Sequence, residues 1–450
     1  MKLTKENERV VYLGGKNEDL GWGWIQFPHL YNMADGNIGL YVHDEYDSWV
    51  SIDGENTGKY FVSKNKGLSW IPATKEDTDK MGTILPNGDV LRSLNNPLTS
   101  LKGVKKPKFV FGKDRTPSDS IKPTLPDDPT QMPPPITPLV NVWGSVQWFY
   151  WLDTIPDNII EKRFRFQRLR AGESSAEIYY TMPNWKARTV ESFEPEHPDR
   201  DDLDDIMLNN AGLYKCRVPV VAPDGSLYIA HYRNGAANPF TGIYDGKHAA
   251  FILHSTDNGE NWSIHGYIPY KYPDTEKDEL GNLRGGFCEP CIEFMPDGSM
   301  LCILRTCDVF QGTPEWGPTY LSRSTDGGRT WSKPEYFKDR GAFPQLLQLK
   351  NGITLAVITR PGIYVYASND CGKTWTAELE IMTGEDRSGL ANVPPEKPNF
   401  HQWAGSCCNC TILPLADDKA LLAFSDFYTP DGQGIKRKGI KTIEITAENN

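Results

Sequence analysis

Short apolar runs alternate with turn dipeptides along most of the chain. The run from Ile353 to Ile358, for example, follows Asn351-Gly352, and its β-branched residues favour a strand. No long stretch shows helical periodicity, so the pattern predicts an all-β protein. The turns expected to join antiparallel strands are Asp35-Gly36, Asn87-Gly88, Asp224-Gly225, Asp297-Gly298, Asn351-Gly352 and, in the last repeat, Asp417-Asp418.

A second motif, S-x-D-x-G-x-x-W, recurs downstream of these turns. It is complete at 255–262, 324–331 and 368–375, and degenerate at 63–70, where Asn65 takes the place of the aspartate. In such an Asp box the carboxylate accepts backbone N–H groups, the glycine supplies a positive φ, and the tryptophan ring covers the turn. Recurrence at this level marks an internal repeat.

The turns and boxes together predict six repeats of four short strands each. This is typical of a six-bladed β-propeller of four-stranded antiparallel blades with Asp-box turns, formed by residues 1–450 as a single domain. The strand-like segment from Arg9 to Leu13 is expected to pair near Lys441 to Ile445 and so close the ring. The blades are predicted at 20–72, 80–200, 212–270, 285–338, 342–382 and 400–446.

The second blade contains a Pro-rich stretch, residues 103–140, which cannot form regular sheet because proline has no N–H to donate. We interpret it as an inserted loop. An active-site lid, an oligomer contact and a plain surface insertion are all compatible with this composition. The oligomeric state therefore stays open.

Composition narrows the classes of partner. The chain has 48 Lys and Arg against 59 Asp and Glu, a formal net charge of −11, which disfavours nucleic acid and anionic membranes as partners. No stretch has the length and hydropathy of a transmembrane span, and the polar opening from Met1 to Glu6 does not resemble a signal peptide. A signal removed from the chain would leave the same opening.

The cysteines bear on both location and metal binding. Their number is nine, and an odd number fits a reducing compartment better than a disulfide framework, so a cytoplasmic location is favoured and export is the alternative. Cys288-x-x-Cys291 and Cys407-Cys408-x-Cys410 could supply a four-thiolate zinc site. Because these cysteines fall in predicted strands, packing as small apolar side chains is favoured, and no metal or cofactor is expected.

The boxes, the six repeats and the spacing between box and turn resemble the sialidase (neuraminidase) superfamily over nearly the whole chain. The boxes lie on the outer rim of that fold, so function must be sought where the inner strands of all blades face one channel. Seven or eight residues past the turn glycines lie polar residues that would share this space: His43, Asn95, Tyr232 or Arg233, Arg305, Thr359 or Arg360, and Ser425 or Asp426.

The resemblance implies a clamp of three arginines for a substrate carboxylate and a glutamate that activates a tyrosine nucleophile. The glutamate motif is matched by residues 288–298, with Glu289 as the counterpart. Arg305 and Arg360 fit the second and third clamp arginines. Gln26 stands where the first arginine belongs, whereas Cys216-Arg217-Val218-Pro219 matches that motif two blades later, so Arg217 is the replacement candidate.

The remaining catalytic positions match the superfamily less well. Asp47 is the candidate acid/base, with Asp44, Asn238 and Asp245 as alternatives. Asn409 aligns with the tyrosine nucleophile, and an amide cannot attack an anomeric carbon. His401 and Trp403, just before it, are expected to line the pocket, and Trp22 and Trp24 either stack on sugars or pack between blades.

These residues predict an exo-acting glycoside hydrolase on terminal, sialic-acid-like sugars. Its catalytic carboxylates would be Glu289 and Asp47, and its substrate-binding residues Arg217, Arg233, Arg305, Arg360, Gln26, His43, Tyr232, His401 and Trp403. Without the tyrosine, an inverting route is open to it. The alternatives are a non-catalytic glycan-binding propeller and a polysaccharide lyase on uronates, in which Tyr232, His231, His43 or His401 would remove a proton.

Overall fold

The fold consists almost entirely of antiparallel β-strands. The computed structural model describes residues 1–15, 24–44, 58–94, 99–100, 110–111, 147–151, 164–181, 190–193, 207–208, 214–215, 218–233, 238–240, 248–270, 276–281, 284–306, 317–360, 362–383 and 409–449. The predicted all-β class is confirmed. The helix in these ranges is the short Lys75–Asp79, which Thr74 caps by accepting the Asp77 N–H at its N-terminus.

Most of the described strands fall into six groups, numbered here along the chain, of which group 3 has five strands and each of the others has four. Groups 1 and 2 are the halves of one eight-stranded sheet, joined where Asn32 and Met33 pair with Gly82 and Met81. The sequence predicted two separate blades here. Group 1 contains Gln26–Met33, Ile38–His43, Lys59–Ser63 and Ile71–Pro72; group 2 contains Met81–Ile84, Val90–Ser93, Phe164–Leu169 and Glu177–Thr181.

Groups 3 to 6 are separate sheets. Group 3 contains Val220–Val221 and Tyr214–Lys215, which both pair with Leu227–Arg233, followed by Ala249–Ser255 and Ser263–Ile268. Group 4 contains Phe287–Phe294, Met300–Thr306, Thr319–Ser324 and Glu335–Lys338. Group 5 contains Gln345–Gln348, Thr354–Thr359, Ile363–Ser368 and Ala377–Met382. Group 6 contains Cys410–Pro414, Lys419–Pro430, Lys436–Glu448 and the N-terminal Lys2–Leu13.

The pairing of the two chain ends agrees with the prediction. Arg9 lies opposite Thr442 and Val10 opposite Lys441 in an antiparallel ladder. Further short strands form two small sheets, Val190–Phe193 with Gln147–Trp151 and Val110–Phe111, and Met207–Leu208 with Thr99–Ser100. Most of the predicted 103–140 insertion lies outside the described residues.

The apolar core is divided among successive groups. Six clusters of buried side chains each draw members from two neighbouring groups, and the series returns from group 6 to group 1. Representative members are Met33 with Met81, Leu91 with Leu227, Ile252 with Phe287, Ile303 with Leu346, Leu355 with Leu422, and Leu421 with Leu40. This packing is cyclic, as in a propeller. The count of six blades stays a prediction, since parts of 95–217 are not described.

Both repeated motifs have the predicted local structure. The Asp-Gly and Asn-Gly turns join the first and second strands of their groups, and each Asp box joins the third and fourth. In the box at 324–331, Asp326 accepts the Thr330 N–H at 2.9 Å and Gly328 has a φ of 87°. Trp262 is fully buried as expected, whereas the other box tryptophans are only half-buried.

The boxes also connect neighbouring groups, which the sequence did not predict. The residue before the central glycine has a left-handed backbone, and its carbonyl accepts hydrogen bonds from the preceding group. The Gly327 carbonyl accepts from the Tyr228 hydroxyl at 3.2 Å, and the Asn258 and Cys371 carbonyls accept from Arg168 and Arg323. The boxes therefore stabilise contacts between groups as well as turns.

Candidate active site

A cavity of about 340 Å³ runs along the first strands of all six groups. Its wall includes His29, Val220, Cys291, Gln345 and Thr411. Each of these residues lies two positions after an equivalent residue that is near the beginning of its strand or just before it. We call these equivalent residues the mouth residues: Phe27, Val218, Glu289, Phe343 and Asn409. Because the strands that follow them line the cavity, we take the mouth residues to mark one of its ends.

Three mouth residues share an unusual backbone. Phe27, Glu289 and Phe343 have φ values of 48°, 46° and 46°, and each precedes a proline. Bulky residues rarely adopt this left-handed conformation, and residues before proline favour extended backbone. The strand registers shift next to Phe27 and Glu289, as in a β-bulge. Such strained positions commonly aim side chains at functional sites.

Glu289 is held as an ionised carboxylate. It accepts a hydrogen bond from Arg305 Nη1 at 2.8 Å and another from the Phe343 N–H at 2.5 Å. Burial alone would raise its pKa, but the charge of Arg305, the Phe343 N–H and the charge of Arg360 together lower the pKa below its usual value. Glu289 is therefore suited to accept a proton or to orient a cation, and not to donate a proton at neutral pH.

The two predicted arginines lie beside this carboxylate at strand ends. Arg305 ends the second strand of group 4 opposite Cys288, and its side chain is 12% exposed. Arg360 follows the second strand of group 5 with a φ of 54° and is buried. Its N–H donates to the Gly362 carbonyl at 2.9 Å, which fixes the turn. The structure thus brings together Glu289, Arg305 and Arg360.

Gln26 and His43 lie opposite each other in group 1. Gln26 is fully buried, and its Oε1 lies 3.3 Å from Lys438 Nζ. The His43 Nδ1 lies 3.1 Å from the Tyr41 hydroxyl. Lys438, which sequence reasoning missed, therefore brings a cation to the position where the resemblance implied an arginine.

Tyr232 lies beside a histidine that the sequence did not indicate. Its ring stacks on His248 with a centroid distance of 6.3 Å and an interplanar angle of 22°. Burial, and secondarily the charge of Arg305, lower the pKa of His248 to about 3, so the imidazole is neutral. Arg233, at the end of one strand, pairs with Ala249, the first residue of the next strand. His248 precedes Ala249, so the hairpin pairing could have predicted that His248 lies beside Tyr232.

Residues 184–406 match the family model described as a BNR repeat-like domain. The match covers just under half of the chain and agrees with the repeats that the sequence predicted. The matched residues include Glu289, Arg305, Arg360 and His248. No curated protein matches the chain.

Solved structures resemble the chain at low sequence identity. A Dyadobacter fermentans protein of unknown function shares 15% identity over 99% of both chains, with a TM-score of 0.51. The NanB sialidase of Streptococcus pneumoniae shares 11% identity over 98% of this chain and 71% of its own, with a TM-score of 0.46. The Penicillium chrysogenum alpha-L-arabinanase shares 11% identity over 98% of both chains, with a TM-score of 0.44. At such identities the likeness concerns the fold alone.

The structure describes only some of the residues that the sequence predicted for the site. Asp47, Arg217, His401 and Trp403 lie outside the described residues, as do Trp22 and Asp245. Arg233 is described only as part of its strand. Of the alternatives to Asp47, Asp44 forms an ion pair with Lys59, and Asn238 accepts the Phe240 N–H at 2.9 Å. Asn409 is a buried mouth residue.

The cavity wall carries a second carboxyl group, Glu293, on the same strand as Glu289. Burial raises the pKa of Glu293 to about 7, although the Phe294 N–H at 3.0 Å and the Gln348 N–H at 3.4 Å lower it in part. One strand therefore presents an ionised carboxylate at the mouth and, in the cavity, a carboxyl whose pKa of about 7 lets it titrate near neutral pH. Such separation of pKa values is a feature of acid–base sites.

Among the described residues, no group of three or more His, Cys, Asp or Glu side chains is arranged to hold a metal ion. Cys288 and Cys291 are buried in a strand, as the packing interpretation predicted, and Cys407 and Cys408 lie outside the described ranges. No described helix is long and apolar enough to cross a membrane.

Proposed function

We propose that this protein is a glycoside hydrolase that removes a terminal, carboxylate-bearing sugar from a glycan. The observation that supports this most directly is the meeting of one ionised carboxylate, Glu289, with two arginines at one end of the cavity. Planar guanidinium groups bind carboxylates bidentately, so Arg305 and Arg360 suit an acidic sugar.

The ion pair with Arg305 would also control how strong a base Glu289 is. A substrate carboxylate that binds Arg305 adds a negative charge beside Glu289 and shares its guanidinium. Both effects raise the pKa of Glu289 towards that of a useful general base. Substrate binding would thus make Glu289 a stronger base.

In the proposed reaction Glu289 takes a proton from a water molecule while the water oxygen bonds to the anomeric carbon. Asp47 would donate a proton to the glycosidic oxygen as its bond to that carbon breaks. This route inverts configuration and needs the two carboxyl groups roughly 6.5–9.5 Å apart. The role of Asp47 rests on the family resemblance.

A second candidate function, a lyase on uronate-containing polysaccharides, is favoured by the Tyr232–His248 stack beside Arg305. Arginines would neutralise the uronate carboxylate and so acidify the adjacent C–H. Tyr232 as phenolate would take that proton while a carbon–carbon double bond forms and the bond to the leaving sugar oxygen breaks. The Tyr232 hydroxyl would then give the proton to that oxygen.

Product analysis separates these functions. The purified protein is incubated with a mixture of sialylated, uronate-containing and neutral glycans, beside Glu289→Gln and Tyr232→Phe variants, and products are identified by mass spectrometry. A released acidic monosaccharide that carries the mass of one added water, lost in Glu289→Gln and kept in Tyr232→Phe, is the expected result. An unsaturated uronate lost in Tyr232→Phe would establish the lyase instead. Binding without any product would contradict both enzymes and indicate a glycan-binding propeller.

A further inference from the structure

Phe343, the mouth residue of group 5, contacts both Glu289 and a residue of the cavity wall. Its backbone N–H donates to Glu289 Oε2 at 2.5 Å. Its ring meets that of His29, from group 1, edge-on at a centroid distance of 5.8 Å. His29 lines the cavity, so the Phe343 ring contacts the cavity wall while its backbone N–H binds the carboxylate.

The backbone of Phe343 is strained in a way that core packing alone does not require. Its φ is 46° and Pro344 follows it, yet the side chain is only half-buried. A phenylalanine rarely adopts this conformation, and such strain concentrates at ligand sites. Phe27 has the same conformation and also precedes a proline, but its ring lies against His43 at 5.6 Å.

We infer that the Phe343 ring is the platform for the apolar C–H face of the acidic sugar whose carboxylate Arg305 and Arg360 bind. Sugar pockets combine a few convergent polar groups with an aromatic surface, and here both elements meet at Glu289. The ligand class is a six-membered sugar acid. This inference rests on the proposed function, since the arginines must hold that carboxylate.

The contribution of the Phe343 ring can be separated from that of its backbone. Phe343 reaches Glu289 through its backbone, so replacing its side chain leaves the N–H that holds the carboxylate in place. A simple carboxylate without a sugar ring would use the arginines and ignore the platform. The platform and the clamp can therefore be measured separately.

The test compares binding of three sugar acids, N-acetylneuraminic, galacturonic and glucuronic acid, with that of lactate, by titration calorimetry. We expect Phe343→Ala to weaken binding of the preferred sugar acid about tenfold and lactate less than twofold, whereas Phe343→Tyr, which keeps the ring, stays within twofold of wild type. Tyr336→Ala is the control, because it removes an exposed aromatic ring from the last strand of group 4, outside the mouth residues and the cavity wall. Thermal unfolding shows whether each variant is folded.

Two results would overturn the inference, and they are distinguishable. If wild type binds a sugar acid and Phe343→Ala binds it equally well, or if Tyr336→Ala weakens it as much, the platform is wrong while the proposed function stands. If wild type binds none of the three sugar acids, and mass spectrometry finds no acidic product, the proposed function falls and the platform with it.

Discussion

Glu289 and Arg305 form an ion pair at 2.8 Å across two neighbouring strands, and both side chains are less than one-sixth exposed. The glutamate reaches its partner from a left-handed backbone at the start of one strand, and the arginine from the end of the next. Such a pair is costly to break singly, because the remaining charge loses its partner in a poorly solvated place. The same contact therefore concerns both stability and the proposed chemistry.

Replacing Glu289 by glutamine should destabilise the fold by about 1–3 kcal/mol at neutral pH, less than for a fully buried pair because the amide still accepts hydrogen bonds. The folded pKa of Glu289 lies below its usual value of 4.5, so its stabilisation is present above about pH 4.5 and is lost as pH falls through the folded pKa. Urea unfolding at pH 7 and pH 3 checks this expectation.

A matched control is the exposed pair Arg170–Glu177, at 2.8 Å with both side chains about half exposed. Glu177→Gln should change the free energy of unfolding by less than about 0.5 kcal/mol, since solvent screens exposed pairs. Equal effects of the two substitutions would contradict the view that burial makes the Glu289 pair important.

Glu293→Gln should stabilise the protein at high pH. Its carboxyl has a folded pKa raised to about 7 from 4.5, so the unfolded chain loses its proton first as pH rises. Stability is therefore lost between pH 4.5 and 7, and the amide avoids this loss. We expect a gain of about 2 kcal/mol at pH 8 and none at pH 4, less than the full shift implies because the cavity is partly solvated.

Much of the fold followed from local sequence signals. Turns such as Asp224-Gly225 need a glycine with positive φ and an Asx side chain that accepts the N–H two residues on, and both are present at 87–89, 224–226 and 297–299. These are interactions within a few residues, so they are visible in a single sequence. The pairing of Met33 with Met81, which joins groups 1 and 2, could not be predicted in this way, because it depends on how two groups meet.

In the candidate site, the sequence predicted neighbours that lie within one repeat but not those that come from different groups. Glu289 and Arg305 lie on consecutive strands of one group, so the repeat indicated that they would be neighbours. His248 and Lys438 were missed, because their relevance comes from neighbours, Arg305 and Gln26, that are distant in sequence. The left-handed backbone of Phe343 was missed as well, since residues before proline normally favour extended backbone.

The box at 324–331 offers a prediction on stability alone. Asp326 accepts the Thr330 N–H and hydroxyl at 2.9 and 2.6 Å, and these bonds lower its pKa to about 2. Asp326→Ala removes these acceptors and should destabilise the fold by about 1–2 kcal/mol in urea unfolding, with unchanged ligand binding.

Asp326→Asn should cost less than the alanine substitution. The degenerate first box already uses an amide, since Asn65 Oδ1 accepts the Ser69 N–H at 2.9 Å. If asparagine and alanine were equally destabilising, the carboxylate charge and not the hydrogen-bond pattern would be the stabilising feature.

The last prediction concerns two pH effects that oppose each other. The folded pKa of His248 is about 3, against a usual value of 6.5, so below pH 6.5 the unfolded chain binds a proton that the folded protein excludes. Stability then falls as pH falls. Glu293 acts in the opposite sense, because between pH 4.5 and 7 the folded protein holds the extra proton. The two slopes should largely cancel in wild type between pH 5 and 6.5.

Single substitutions should separate these slopes. Glu293→Gln leaves the His248 effect, so its free energy of unfolding should fall by about 2 kcal/mol from pH 6.5 to 5, the value for a pKa difference acting over that interval. His248→Asn leaves the Glu293 effect and should lose stability in the other direction, as pH rises. The double variant should match the near-flat wild-type profile, which serves as the internal control for charges elsewhere. If the free energy of unfolding varied with pH in the same way in both single variants, the prediction would be contradicted. Glu293 and His248 would then bind their protons equally well in the folded and unfolded states, and neither would be buried as described.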